Sequence, residues 1–257
     1  GDEGDKDNDI AYQNMLKSHA ILKKSIFKKS DYLQIYARNI NFEFLPYYMG
    51  NREEAAQFIK DNKEMVCMDG TYSCMESSSI KVWAEWFYSS YDYKESIELT
   101  ELLLSRSKEE LLLEGEDLKT KVHSYYRHGM MLMKISQYEE AVNSFKNAIS
   151  LSMDDYKNDI SDEGLKKDGC FWMPQYNKRI ALTYDLMKEY DKSIEYYEKS
   201  YDQLKNNNIS WDCAWNNDIT LLQTICPRGY LQIVLGNKDS AENNVRECHE
   251  LLTTIED

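Results

Sequence analysis

Proline is scarce in this chain, at 3 residues, and glycine is held to 10 of 257. So few breakers disfavour a turn-rich β-sandwich and favour long helices. No apolar run approaches the ~18 residues of a membrane-spanning helix. The phosphate-cradling loops G-x-x-x-x-G-K and G-x-G-x-x-G are missing, and so is the G-x-S-x-G nucleophile elbow. Basic charge is also short, with 31 Lys and Arg against 45 Asp and Glu and a net charge of −14. A duplex-binding surface needs a basic footprint, so nucleic acid is not expected as a partner.

The 6 cysteines form no C-x-x-C pair and no dense framework. Cys226 and Cys248 fall at helical packing positions, where a thiol acts as a small apolar group, and reduced thiols are expected. Cys67 and Cys74 flank a turn at Asp69-Gly70 and form the one plausible local pair. His123 and His128 are five apart on one helix, which turns them to different faces, so no metal site is expected there. The acidic runs at Asp5–Asp9 and Asp154–Asp168 lack the ligands of a calcium loop. Nothing singles out an acid–base pair, and neither catalytic residues nor a cofactor are expected.

What the chain does have is tyrosine, 20 of them, and a recurring spacing of small residues. Gly129, Ala141, Phe145 and Ala148 define it, and it returns at Ala181, Ser193, Tyr197 and Ser200. It returns again at Gly229, Ala241, Val245 and Cys248. Small residues at these offsets let two antiparallel helices approach closely. Ser136-x-x-Glu139 and Asp92-x-x-Glu95 read as capping boxes for second helices, with Asp191 and Asn237 as further N-caps. The anchors Ala55, Ser96, Ala141, Ser193 and Ala241 are 41, 45, 52 and 48 residues apart. The shortest helical-pair repeats run about 34 residues, so the excess goes into longer helices or connections. The segment 153–173 is the clearest candidate for an extended connection, its end Phe171-Trp172-Met173 covering apolar surface. Trp211 and Trp215 follow a break at Asn206-Asn207-Asn208.

From about residue 36 to 252 the chain resembles a tetratricopeptide-repeat array of roughly five long, degenerate units. That pattern wants an aromatic, a Gly or Ala and an aromatic on the first helix, then Ala, an aromatic and Ala on the second. The unit at 122 supplies Tyr125, Gly129, Leu132, Ala141, Phe145 and Ala148. The units at 174 and 222 match less well, the unit at 77 retains Ile80, Ala84, Phe87 and Ser96, and the unit at 36 is weak. The resemblance implies an all-α fold, a right-handed superhelix of stacked antiparallel helix pairs. Composition and periodicity set an acidic disordered lead at 1–9 and an amphipathic helical segment at 10–35 before the repeat domain at 36–257.

The resemblance also implies a concave groove lined by first helices. Carried onto this chain, the binding residues are Lys81, Tyr88, Tyr126, Arg127, Met130, Lys178, Arg179 and Tyr230. Tyr and Met suit adaptable peptide recognition, and the cations suit a carboxylate or acidic peptide. A chaperone-tail clamp is matched by Lys81 and Arg179 but not by Glu85, Arg127 or Gln175. The helix at 10–29, with Lys17, Lys23, Lys24, Lys28 and Lys29 on it, is a rival occupant of the groove.

The expected function is therefore a non-enzymatic scaffold for a protein or peptide segment. The alternatives are a sensor module that binds a short peptide signal, and an extracytoplasmic lipoprotein docked into an envelope assembly. The chain opens on Gly1 and not on Met, which reads as an expressed fragment or a processed form. Its acidic start is a tag remnant with a linker, or a spacer behind a removed export signal or lipid anchor. A cytoplasmic location is expected, with a lipid-anchored extracytoplasmic one as the alternative.

Overall fold

A computed structural model describes residues 13, 14, 17, 52–61, 72–73, 75–115, 118–158, 163–206 and 217–256. Residues 13, 14 and 17 are helical. The remainder of the expected 10–29 helix, the Cys67/Cys74 pair, Trp211 and Trp215 lie outside the described residues. The helices are α1 (Arg52–Asp61), α2 (Ser77–Ser89), α3 (Tyr93–Ser105), α4 (Lys108–Leu113), α5 (Leu118–Lys134), α6 (Tyr138–Asn158), α7 (Glu163–Leu186), α8 (Tyr190–Asn206), α9 (Asn217–Val234) and α10 (Lys238–Glu256). No strand occurs among the described residues. The class is all-α, a solenoid of stacked helix pairs, and the chain divides into units Gly1–Asp117 and Leu118–Asp257.

In the first unit α2 pairs with α3, and α1 packs on α2. Ile59, Ile80, Trp83, Phe87, Leu99 and Leu103 fill the space between them. Arg106 closes the unit behind α3. Its guanidinium donates to the Met75 carbonyl and the Ser77 hydroxyl and pairs with Glu114, whose carboxylate also accepts the Ser77 amide. Ser107 and Glu110 form a full capping box on α4 that the sequence reading did not single out.

The second unit holds three hairpins, α5–α6, α7–α8 and α9–α10, with α6 packed on α7 and α8 on α9. Every hairpin turn in both units uses the same device. Tyr91, Ser136, Lys188 and Gly236 take positive φ of 64°, 62°, 62° and 80°. The amide of each bonds back to a carbonyl three residues earlier, and the next amide reaches five residues back, as Gln137 does to Leu132 at 2.9 Å. This Schellman geometry satisfies carbonyls that the helix end would otherwise leave orphaned.

It also corrects two sequence assignments. Ser136 is the left-handed turn residue, and α6 begins two residues later, so it does not cap α6. Asp191 lies inside the first turn of α8, where it faces the helix dipole without acting as N-cap. Asp92 does cap α3, accepting the Glu95 amide.

The small-residue spacing marks the crossing of each pair. Ala141, Phe145 and Ala148 are fully buried, and so are Ala181, Ser193 and Ser200. Where the second helix carries Ser in place of Ala, the hydroxyl crosses the hairpin. Ser193 donates to the Ala181 carbonyl at 2.8 Å, and Ser96 donates likewise to the Ala84 carbonyl. These repeats depart from the family pattern but keep its packing.

The excess repeat length sits mainly in helices. α6 runs 21 residues and α7 runs 24. The expected connection at 153–173 is helical at 153–158 and again at 163–173, which corrects that reading. Trp172 does pack at the head of the next pair, stacked on Tyr176 at 6.2 Å.

The cysteine expectation is also overturned. Cys226 on α9 and Cys248 on α10 are joined by a disulfide, with their Cα atoms 5.3 Å apart. The two positions face each other across the hairpin, which is why both had looked like packing positions.

Candidate binding surface on the first helices

In the second unit the first helices α5, α7 and α9 touch side by side, and polar side chains link them. Arg179 on α7 donates from Nε to the Tyr126 hydroxyl on α5 at 3.2 Å. Lys178, next in sequence, donates from Nζ to Gln223 Oε1 on α9 at 2.6 Å. Gln175, one turn earlier, donates to the Thr220 hydroxyl at 2.7 Å. Residues three and four apart share a helix face, so α7 presents one polar edge to α9.

Around Tyr126 the rings gather. Its centroid lies 5.8 Å from Phe145, 5.7 Å from Trp172 and 5.5 Å from Tyr176. His123 approaches Trp172 at 5.0 Å. Tilted and edge-on contacts in this range are favourable and hold each ring in place. Tyr126 is thus fixed below by aromatic packing and presents its hydroxyl to Arg179.

The electrostatics of this edge are unusual for an acidic chain. Lys178 is only 7 % exposed. Burial, with the neighbouring Arg179 charge adding to it, pushes its ammonium down to about 8. Among the described residues, the hydrogen-bond partners of both cations are neutral groups. Burial also pushes the Asp185 carboxyl, two turns further along α7, above the usual range.

The sequence-predicted residues are thus distributed unevenly. Tyr126, Lys178 and Arg179 come together on one edge. Met130 is half-buried on α5 and Arg127 is exposed there. Tyr230 stands 64 % exposed on α9. Lys81 and Tyr88 belong to the first unit. There Tyr88 packs on Tyr93 at 5.7 Å, and Tyr93 meets Tyr91 at 6.3 Å. Tyr176 and Thr220 were not anticipated. Tyr176 sits on α7 within the 174 unit, and its periodicity with Trp172 was the available signal.

Tetratricopeptide-repeat family sequence matches the chain at residues 122–155 and 176–203, the two hairpins best defined above. The hairpins α5–α6 and α7–α8 carry tetratricopeptide repeats. Repeats of this family mediate protein–protein contacts, and proteins built from them are in general non-enzymatic scaffolds. Its fold is similar to that of MamA, with a TM-score of 0.53 at 16 % identity over 81 % of this chain and 93 % of that one. It is also similar to BtubC (BKLC) from P. vanneervenii, with a TM-score of 0.58 at 11 % identity over 97 % and 92 %. A third likeness is a putative kinesin light chain with TPR-like repeats from Podosopora anserina, TM-score 0.51 at 11 % identity over 82 % and 97 %. At these identities the likeness is one of fold. No curated protein sequence matches the chain at a significant level. No described helix of this repeat protein is long and apolar enough to cross a membrane.

Proposed function

We propose that the chain is a non-enzymatic scaffold that binds a protein or peptide segment along the groove face of α5, α7 and α9. The supporting observation is the pair Lys178 and Arg179. Two adjacent cations, one of them nearly buried, rest on a glutamine amide and a tyrosine hydroxyl in a chain of net charge −14. Holding a charge away from water without a carboxylate costs stability. A carboxylate or acidic side chain on the bound segment offsets that cost through charge-assisted hydrogen bonds. Gln223, which accepts the Lys178 hydrogen bond, is exposed, so an incoming carboxylate has access to replace it. Tyr126, Met130 and Tyr230 supply apolar contact on either side, Arg127 a rim charge. Lys81 and Tyr88 are proposed as a separate contact on the first unit.

The test is a peptide array of acidic, neutral and basic sequences probed with the wild type, Arg179→Glu, Tyr126→Phe and Lys199→Glu. Lys199 lies on second helix α8, paired with Glu195. Acidic peptides are expected to bind the wild type and Lys199→Glu and to lose Arg179→Glu. Equal binding to all four proteins overturns the assignment.

The bridge between Cys226 and Cys248 favours the extracytoplasmic alternative over the cytoplasmic one, because disulfides persist in oxidising compartments. Thiol counting on protein extracted under alkylating conditions tests this. Two free thiols at these positions in the native host overturn it.

A further inference from the structure

The last hairpin differs from the two before it in a way that gives the disulfide a task. On α6 and α8 the aromatic of the spacing, Phe145 or Tyr197, is sealed at 0 % or 2 % exposure. The next pair covers each of those helices. On α10 the equivalent residue is Val245, which is 47 % exposed. The close approach is slacker too. A Cβ on Gly129 would meet Phe145 at 2.6 Å, whereas one on Gly229 would meet Val245 at no less than 3.3 Å. The last pair therefore lacks the aromatic plug, and no described helix packs on its outer side. Terminal repeats bury least and fray first. At that hairpin a covalent link joins α9 to α10, and both of its cysteines are half-buried, within reach of solvent.

We propose that the Cys226–Cys248 bridge is a thiol-responsive latch on the end of the repeat array. Closed, it clamps α10 onto α9 in place of the missing aromatic packing. Opened, it leaves α10 held by the burial of Ala241, by the polar network in which Arg228 donates to Asn244 and Asn244 to Gln232, and by Tyr201 and Lys205 of α8, which both bond to Glu247. The opening step is thiol–disulfide exchange. A thiolate of a dithiol reductant attacks one cysteine sulfur, the S–S bond breaks, and the other cysteine leaves as thiolate. The second reductant thiolate then displaces the first cysteine. Two electrons and two protons end on Cys226 and Cys248, and the reductant is left as a disulfide.

The latch also bears on the groove, because α9 carries Gln223 and Thr220, the partners of Lys178 and Gln175. The latch itself does not depend on the binding reading.

Hydrogen exchange followed by mass spectrometry on the whole chain, with and without dithiothreitol, tests it. Linked peptides containing Cys226 and Cys248 are expected in the untreated protein. On reduction, exchange across 238–256 is expected to rise about three hundredfold, the size set by removing a cross-link between residues 22 apart, while 122–155 stays unchanged. A Cys226→Ala/Cys248→Ala variant should show the raised exchange at all times and no response to dithiothreitol. Three results overturn the proposal: no linked peptide, no change on confirmed reduction, or a response that survives in the variant. Loss of acidic-peptide binding with normal exchange bears on the groove alone, so the two readings fail separately.

Discussion

Gly129 and Phe145 are in such close register that a single methyl group on the first would lie 2.6 Å from Cε1 of the second. Phe145 is itself fully buried and packed on Tyr126, so the ring has little room to retreat. The contact sets the approach of α5 to α6 and, through Tyr126, the height of the hydroxyl that meets Arg179.

Gly129→Ala should therefore destabilise the second unit by about 1–3 kcal/mol through overpacking, although Ala is the better helix former. Gly229→Ala, with its nearest contact at 3.3 Å, should cost less or be neutral. Chemical denaturation of both variants checks the order. Equal effects would mean the close approach at Phe145 relaxes freely.

The hairpin turns give a prediction of opposite signs at equivalent positions. Lys188 sits at φ 62° and Gly236 at φ 80°. Lys188→Gly should stabilise by about 1 kcal/mol, because a side chain is penalised in the left-handed region. Gly236→Ala should destabilise by a similar amount, although nothing lies near enough to clash. Thermal melts of the two variants against the wild type decide it.

The depressed ammonium of Lys178 makes stability depend on alkaline pH. Its value in the folded chain is about 8, below the ordinary 10.5. Between those two values the unfolded chain binds the extra proton, so stability should rise with pH across the window. Below about pH 8 the penalty is fully present. Lys178→Met should be more stable than the wild type near pH 7, and the advantage should shrink toward pH 10. Denaturant titrations of both proteins across that range measure it. A constant difference would contradict the burial of a charged group.

Glu114 should make the first unit sensitive to acid. Burial opposes its charge, but the Ser77 hydroxyl and amide and the Arg106 guanidinium outweigh it and lower its value. The stability it contributes is present above its ordinary value of 4.5 and is lost as pH falls through the lower, folded one. Glu114→Gln should remove that loss. Near-UV circular dichroism of Trp83, buried in this unit, reports it during acid titration.

Much of the architecture was legible because helix pairs need small residues at fixed offsets, and Gly129, Ala141 and Ala148 supply them in one hairpin. Weaker copies concealed real substitutes. Ser193 replaces Ala and adds a hydrogen bond to Ala181, which a pattern of residue sizes does not encode. The turns were hidden because Tyr91, Ser136 and Lys188 occupy a conformation their residue types disfavour, imposed by the helices on either side. The bridge was missed because spacing in sequence looked sparse, while the hairpin brings Cys226 and Cys248 face to face. The burial of Lys178 depends on Gln223 from the following pair, a contact that a single helix does not reveal.

The central claim is that Lys178 and Arg179 await an acidic segment on the first helices of the second unit. Calorimetry with an acidic peptide selected from the array tests it most directly, run at pH 8 in buffers of different ionisation enthalpy. An incoming carboxylate should restore the Lys178 proton, so binding should take up protons in the wild type and take up none in Lys178→Met. Binding with no proton uptake in the wild type, or with the same uptake in both proteins, would contradict the account.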